Sequence, residues 1–157
     1  SSTLLLTASD NTINAPILSG FVLNSFNTSQ FTATLSNNTV SNAGSNGIAS
    51  ESYNGSTINL TATSNIITLP LNNGIYVGAH NNNSKIFAVL DGNAILDAGG
   101  NGIFAQKFTV PSTITINGTV SNTVSGSGSG LSFHSVLNPT GTFILNGVSI
   151  PASADVP

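Results

Sequence analysis

An Asn series, Asn11, Asn38, Asn65, Asn93 and Asn122, recurs along the chain at intervals of 27, 27, 28 and 29 residues, on a repeat of 27 to 28. A Gly series follows it: Gly20, Gly47, Gly74, Gly102 and Gly130, at gaps of nine, nine, nine, nine and eight residues. Each Gly precedes an apolar residue. Self-similarity at a fixed period means one supersecondary unit stacked on copies of itself, because a unit this small cannot bury its apolar face alone. Residues 1–157 therefore read as a single domain. Its rungs fall near 4–30, 31–57, 58–85, 86–113 and 114–141, with a terminal strand over 142–150 and a tail over 151–157.

Every rung opens with strict alternation. Leu4/Leu6/Ala8, Phe31/Ala33/Leu35, Ile58/Leu60/Ala62, Ile86/Ala88/Leu90 and Ile114/Ile116 are the apolar members. Thr and Asn fill most positions between them, although Phe87 and Val89 break that rule. Period two with Thr and β-branched residues predicts a strand with one wet face. A turn follows at the Asn, then an apolar position (Ile13, Val40, Ile67, Ile95, Val124), then a corner at the Gly, which tolerates positive φ and close backbone approach. A third short strand begins at Phe21, Ile48, Ile75, Ile103 and Leu131. Three strands and three corners per repeat make an all-β solenoid of five to six rungs. No segment has helical periodicity.

Stacking places equivalent side chains about 4.8 Å apart. The Asn column is thus expected to form an amide ladder along the stack, and the Gly column to make corners. Phe26, Tyr53, His80, Phe108 and Val136 form another column, expected to pack in the core. Tyr76 and Phe104 alternate outward on adjacent rungs, with Phe87 nearby; an exposed apolar patch of this kind marks an interaction surface.

Segments such as Ser36-Asn37-Asn38-Thr39-Val40-Ser41-Asn42-Ala43-Gly44-Ser45-Asn46-Gly47-Ile48 resemble the repeat of the pectin-lyase-like superfamily. Asn93-Ala94-Ile95-Leu96-Asp97-Ala98-Gly99-Gly100-Asn101-Gly102-Ile103 has the same pattern. The resemblance covers essentially the whole chain and implies a right-handed parallel β-helix. That superfamily includes polysaccharide lyases and hydrolases, phage tailspikes, and passenger domains of bacterial autotransporters and adhesins. Fold does not choose among these.

Composition narrows the choice. Charged residues are only 4% of the chain, against about a quarter in an average soluble domain, and there is no Cys. The Asn/Ser/Thr/Gly-rich character is closest to bacterial surface passengers and fibres, which points to an extracellular or cell-surface location. Two Lys and no Arg leave nothing to neutralise phosphates, so nucleic acid is not a partner. No apolar run approaches the roughly 20 residues of a membrane span.

Chemistry is sparsely supplied. Asp91 and Asp97 share a rung but flank the Asn93 corner, and no Arg accompanies them. His80 and His134 lie two rungs apart at different offsets, so a shared metal is not expected. Gly99-Gly100-Asn101-Gly102 lacks the Asp of a calcium-binding repeat; Phe104 stands in its place. No catalytic, cofactor or metal residue is expected, and no cofactor.

The ends look uncapped. Leu4-Leu5-Leu6 opens a strand, and Phe143-Ile144-Leu145 continues one, so these are candidate end-stacking strands. The expected partner is self, through end-to-end stacking or neighbouring rungs of a longer solenoid, with surface glycans as a further partner. The function expected is a non-enzymatic structural or adhesive solenoid of a bacterial surface or extracellular fibre. The alternative is a carbohydrate-binding or carbohydrate-cleaving β-helix.

Overall fold

A computed structural model describes residues 2–109, 111–118, 121–130, 133–137, 143–146, 148–150 and 155–156. The described residues contain no α-helix. Their strands form three sheets, stacked as a β-solenoid. The chain winds through about four turns, slightly fewer than the five to six rungs expected.

Sheet A takes the first strand of each turn: β1 (Thr3–Ser9), β4 (Gln30–Ser36), β7 (Thr57–Thr63), β10 (Lys85–Asp91), β13 (Thr113–Asn117) and β16 (Phe143–Leu145). Sheet B takes β2 (Thr12–Asn14), β5 (Thr39–Ser41), β8 (Ile66–Thr68), β11 (Ala94–Leu96) and β14 (Thr123–Ser125). Sheet C takes β3 (Phe21–Ser25), β6 (Ile48–Ser52), β9 (Ile75–Ala79), β12 (Ile103–Lys107) and β15 (Phe133–Leu137). All of these pair in parallel and in register, so Phe31 sits over Ile58 and Ile58 over Ile86.

Register makes the core. The alternating apolar residues of sheet A, with Val40, Ile67 and Ile95 from sheet B and Ile48, Ile75 and Ile103 from sheet C, form one buried cluster. Burying one such side chain contributes about 1.5–3 kcal/mol. Gly20, Gly47 and Gly74 are explained by proximity rather than by φ, whereas Gly130 has the expected positive φ, 73°, with nothing within 4 Å of the place a Cβ would take. A Cβ at Gly20, Gly47 or Gly74 would lie 2.8, 2.7 and 2.6 Å from the carbonyl oxygen of the next turn's Gly, and would also strike Val40, Ile67 or Ile95. The sharp backbone bends lie elsewhere. One column of left-handed residues (Asp10, Asn37, Ser64, Gly92) precedes the ladder Asn, and a second (Ala15, Asn42, Leu69, Asp97, Gly126) follows sheet B.

The two ends differ. At β1, the edge strand of its sheet, no described residue covers the core, and Leu4, an inward position, is 58% exposed. The far end departs from the expected continuous strand over 142–150. The chain turns at Asn146, with φ of 47°, and β17 (Val148–Ile150) returns antiparallel along β16. The strand β18 (Asp155–Val156) likewise pairs antiparallel with β15. Parallel stacking thus gives way to antiparallel pairing in two of the three sheets, where the sequence reading expected no cap. The physical reason is local: Asn at a left-handed position favours a turn over a continuing strand.

Candidate functional site

The Asn column stacks as an unbroken amide ladder. Asn11, Asn38, Asn65 and Asn93 each donate Nδ2–H to the Oδ1 of the next Asn, at 2.9, 3.0, 2.9 and 2.8 Å, ending at Asn122. Each also donates its backbone N–H to that same oxygen, at 2.9–3.1 Å. From the second turn on, Nδ2 further donates to the carbonyl of Ala8, Leu35, Ala62 or Leu90. Asn38, Asn65 and Asn93 are fully buried, so every one of these bonds replaces lost water.

A second ladder escaped the sequence reading. Asn101 donates Nδ2–H to Asn73 Oδ1 and Asn73 to Asn46 Oδ1, both at 3.0 Å. Ser129 Oγ donates to Asn101 Oδ1 at 2.7 Å. These bonds run in the opposite sense to the first ladder. The signal was visible: an Asn stands immediately before Gly47, Gly74 and Gly102.

The aromatic column is a face-to-face stack. Phe26–Tyr53, Tyr53–His80 and His80–Phe108 have ring centroids 4.9, 4.0 and 4.1 Å apart and planes within 12°. It does not lie in the core, as expected, but on the outer side of sheet C. Alternation requires this: Ser25, Ser52, Ala79 and Lys107, one residue earlier, take the inward positions. Val136 belongs to β15, whose side chains lie outside the described residues, as does the side chain of His134.

Outward parity on sheet C also gathers Glu51, Tyr76, Gly78 and Gln106. Here the chain's only Glu meets Tyr53 and His80, with the second Tyr, Tyr76, on the adjoining strand. Glu51 Oε2 accepts the Tyr53 hydroxyl at 2.5 Å and the His80 Nε2–H at 2.8 Å. Gly78 sits in register beside Glu51 on one turn and Gln106 on the other. Its missing side chain leaves room for its neighbours. A Cβ there would lie 2.8 Å from Tyr76 Oη and 3.3 Å from His80 Nε2. Tyr76 Oη donates a long hydrogen bond, 3.4 Å, to Gln106 Oε1, and the Tyr76 ring tilts against Phe104 at 5.7 Å.

Both phenols are held protonated. Burial, then the hydrogen bond to Glu51 and its negative charge, push Tyr53 well above the usual phenol range; burial and the same charge raise Tyr76. They therefore serve as neutral donors beside a carboxylate. Tyr76 and Phe104 are together, as expected, but Phe87 lies on the outer face of sheet A, in register with Asn59 and Thr115. Glu51, Gly78 and Gln106 were not singled out from the sequence. Counting two residues at a time from each corner Gly would have found them.

The remaining candidates do not converge. Asp91 closes β10 and accepts a hydrogen bond from Ser121 Oγ, while Asp97 follows β11 at the next corner. Among the described residues no group of three His, Cys, Asp or Glu could hold a metal ion. Leu4, Leu5 and Leu6 lie on the open strand β1. Phe143, Ile144 and Leu145 form β16, which has β13 on one side and β17 on the other, so it is not the free stacking edge expected. Among the described residues no helix is long and apolar enough to cross a membrane.

Fold and site together define an all-β, parallel β-solenoid carrying one aromatic–carboxylate cluster on an outer sheet. Comparison with protein-family models, curated proteins and solved structures finds no match to this chain.

Proposed function

We propose that the chain is a non-enzymatic structural and adhesive β-solenoid module of a bacterial surface or extracellular fibre, built along the lines of the passenger domains it resembles. The observation that carries this reading is where the polar side chains go. Two Asn ladders and an aromatic stack run along the axis and hold turn to turn, which is what a rod needs. Acid–base chemistry on a polymer needs paired groups across a groove, and Asp91 and Asp97 do not supply one. The adhesive contact is assigned to the outer face of sheet C, and self-association to the open turn at Leu4–Leu6.

The open turn exposes core side chains and the edges of three parallel strands, a template for another β-turn of chain. Sedimentation velocity tests this. Wild-type protein is expected to associate as concentration rises, and Leu4→Lys to remain monomeric with an unchanged β-sheet circular dichroism spectrum. A wild-type protein that stays monomeric at every concentration would remove the self-association from the proposal.

A further inference from the structure

We infer that the Glu51–Tyr76–Gln106 cluster on sheet C is a binding site for a neutral saccharide. This gives the adhesive reading its ligand and rests on that reading for its biological use. Chance does not readily place the only Glu, both Tyr and a His of a chain this poor in such residues on two adjacent turns of one face. Nor does stability require it. Tyr76 lying over Gly78 is explained as an aromatic ring covering a strand glycine. That explanation does not reach Glu51 or Gln106.

The valences left open are specific. Tyr53 and His80 both bind Glu51 Oε2 and so fix the carboxylate, while Oε1 has no partner among the described residues. Gln106 uses its Oε1 toward Tyr76, and its amide Nε2 has no partner among the described residues. A fixed acceptor and a donor stand on either side of Gly78, two turns apart, with the Tyr76 hydroxyl between them. Beside them lies the half-buried Tyr76–Phe104 ring pair. Alternating donors and acceptors next to an aromatic surface match a ring compound with hydroxyl edges and C–H faces. Holding these groups in place before binding lowers the entropic cost of binding.

Charge decides the kind of saccharide. Lys85 lies on the outer face of sheet A and Lys107 points inward, so no lysine neutralises a ligand at this face. A uronate, sulfate or phosphate group would meet the Glu51 carboxylate as a like charge, which is costly at a recognition surface. A neutral sugar meets no such penalty.

The test is an NMR titration of the full chain, following the ring resonances of Tyr76 and His80. The probes are cellotetraose, chitotetraose and galactotetraose, with tetragalacturonate as the anionic comparison. Saturable shifts with a neutral probe are expected, at a Kd on the order of 1 mM. Loss of a charge-assisted hydrogen bond should weaken binding about tenfold or more in Glu51→Gln. Gln106→Ala lies outside the Glu51–Tyr53–His80 network and should weaken binding with that network intact. No saturable shift with any neutral probe, equal shifts with tetragalacturonate, or full affinity in both variants would each overturn the inference. Failure here in a protein that still self-associates would leave the rod intact and remove only its ligand.

Discussion

Each interior ladder Asn uses its amide in both directions along the rod. Asn65 accepts from Asn38 N and Nδ2, and donates to Asn93 Oδ1 and Leu35 O. Truncation would strand several buried groups at once, and one orphaned buried donor costs about 1–3 kcal/mol. Asn65→Ala should therefore lose about 3 kcal/mol, or roughly 10 °C in Tm. Asn11 lies at the open turn, exposed, with no Asn above it; Asn11→Ala should cost about 1 kcal/mol or less. Thermal melts of the two variants check the gradient. Lys107 is a residue of the opposite kind. It is 2% exposed, points inward beside Ala79, and pairs with no carboxylate among the described residues. Burial pushes its ammonium pKa below the ordinary value of 10.5. Between the lowered folded value and 10.5 the unfolded chain binds a proton that the folded chain does not. Stability therefore rises with pH across that window. Tyr53 and Tyr76 act oppositely: their raised values make stability fall as pH climbs above 10.0. Lys107→Met should stabilise the protein by about 1 kcal/mol at neutral pH and remove the rise, leaving only the fall; urea titrations at stepped pH read both effects.

Among the elements, the corner after sheet B is the least uniform. Asn42 and Gly126 suit its left-handed backbone, but Leu69 occupies the same column with φ of 52° and is 54% exposed. A left-handed Leu costs about 1–2 kcal/mol, and its exposed side chain gains little burial to offset that. Leu69→Asn should raise Tm by about 3 °C, measured by calorimetry. The strands themselves were legible because their inward residues alternate with Thr and because every repeat restates the pattern. Gly20, Gly47 and Gly74 were legible as corners, yet for a reason only packing reveals: the carbonyl and apolar side chain of the next turn occupy the space a Cβ would need. The hairpin of β16 and β17 was legible but missed: Phe143–Ile150 carries strand-forming residues on both sides of one Asn-Gly pair, which is a hairpin signal rather than one continuous strand. The aromatic stack follows the same two-residue period: the sixth residue after each corner Gly has outward parity, so Phe26, Tyr53, His80 and Phe108 face out.

At the scale of the molecule, translation along the axis does most of the organising. Any side chain repeated once per turn meets itself at strand spacing, so Asn becomes a ladder and Phe, Tyr and His become a stack. What does not repeat stands out: Glu51, Gly78 and Gln106 occupy one column with three different residue types. Repetition builds the rod, and the departure from repetition marks the site. Glu51 was hard to see in the sequence because its partners come from other turns: Tyr53 adjoins it, but His80 and Gln106 lie 29 and 55 positions further on. A rod with one site per chain gains avidity when chains associate, since each bound site raises the effective concentration of the next. The most direct measurement is incubation of the protein with a neutral polysaccharide matrix, with retained protein and newly formed chain ends quantified together. Retention without new chain ends is the expected result. Passage through the matrix unretained, or release of reducing or unsaturated ends, would contradict an adhesive and non-enzymatic rod.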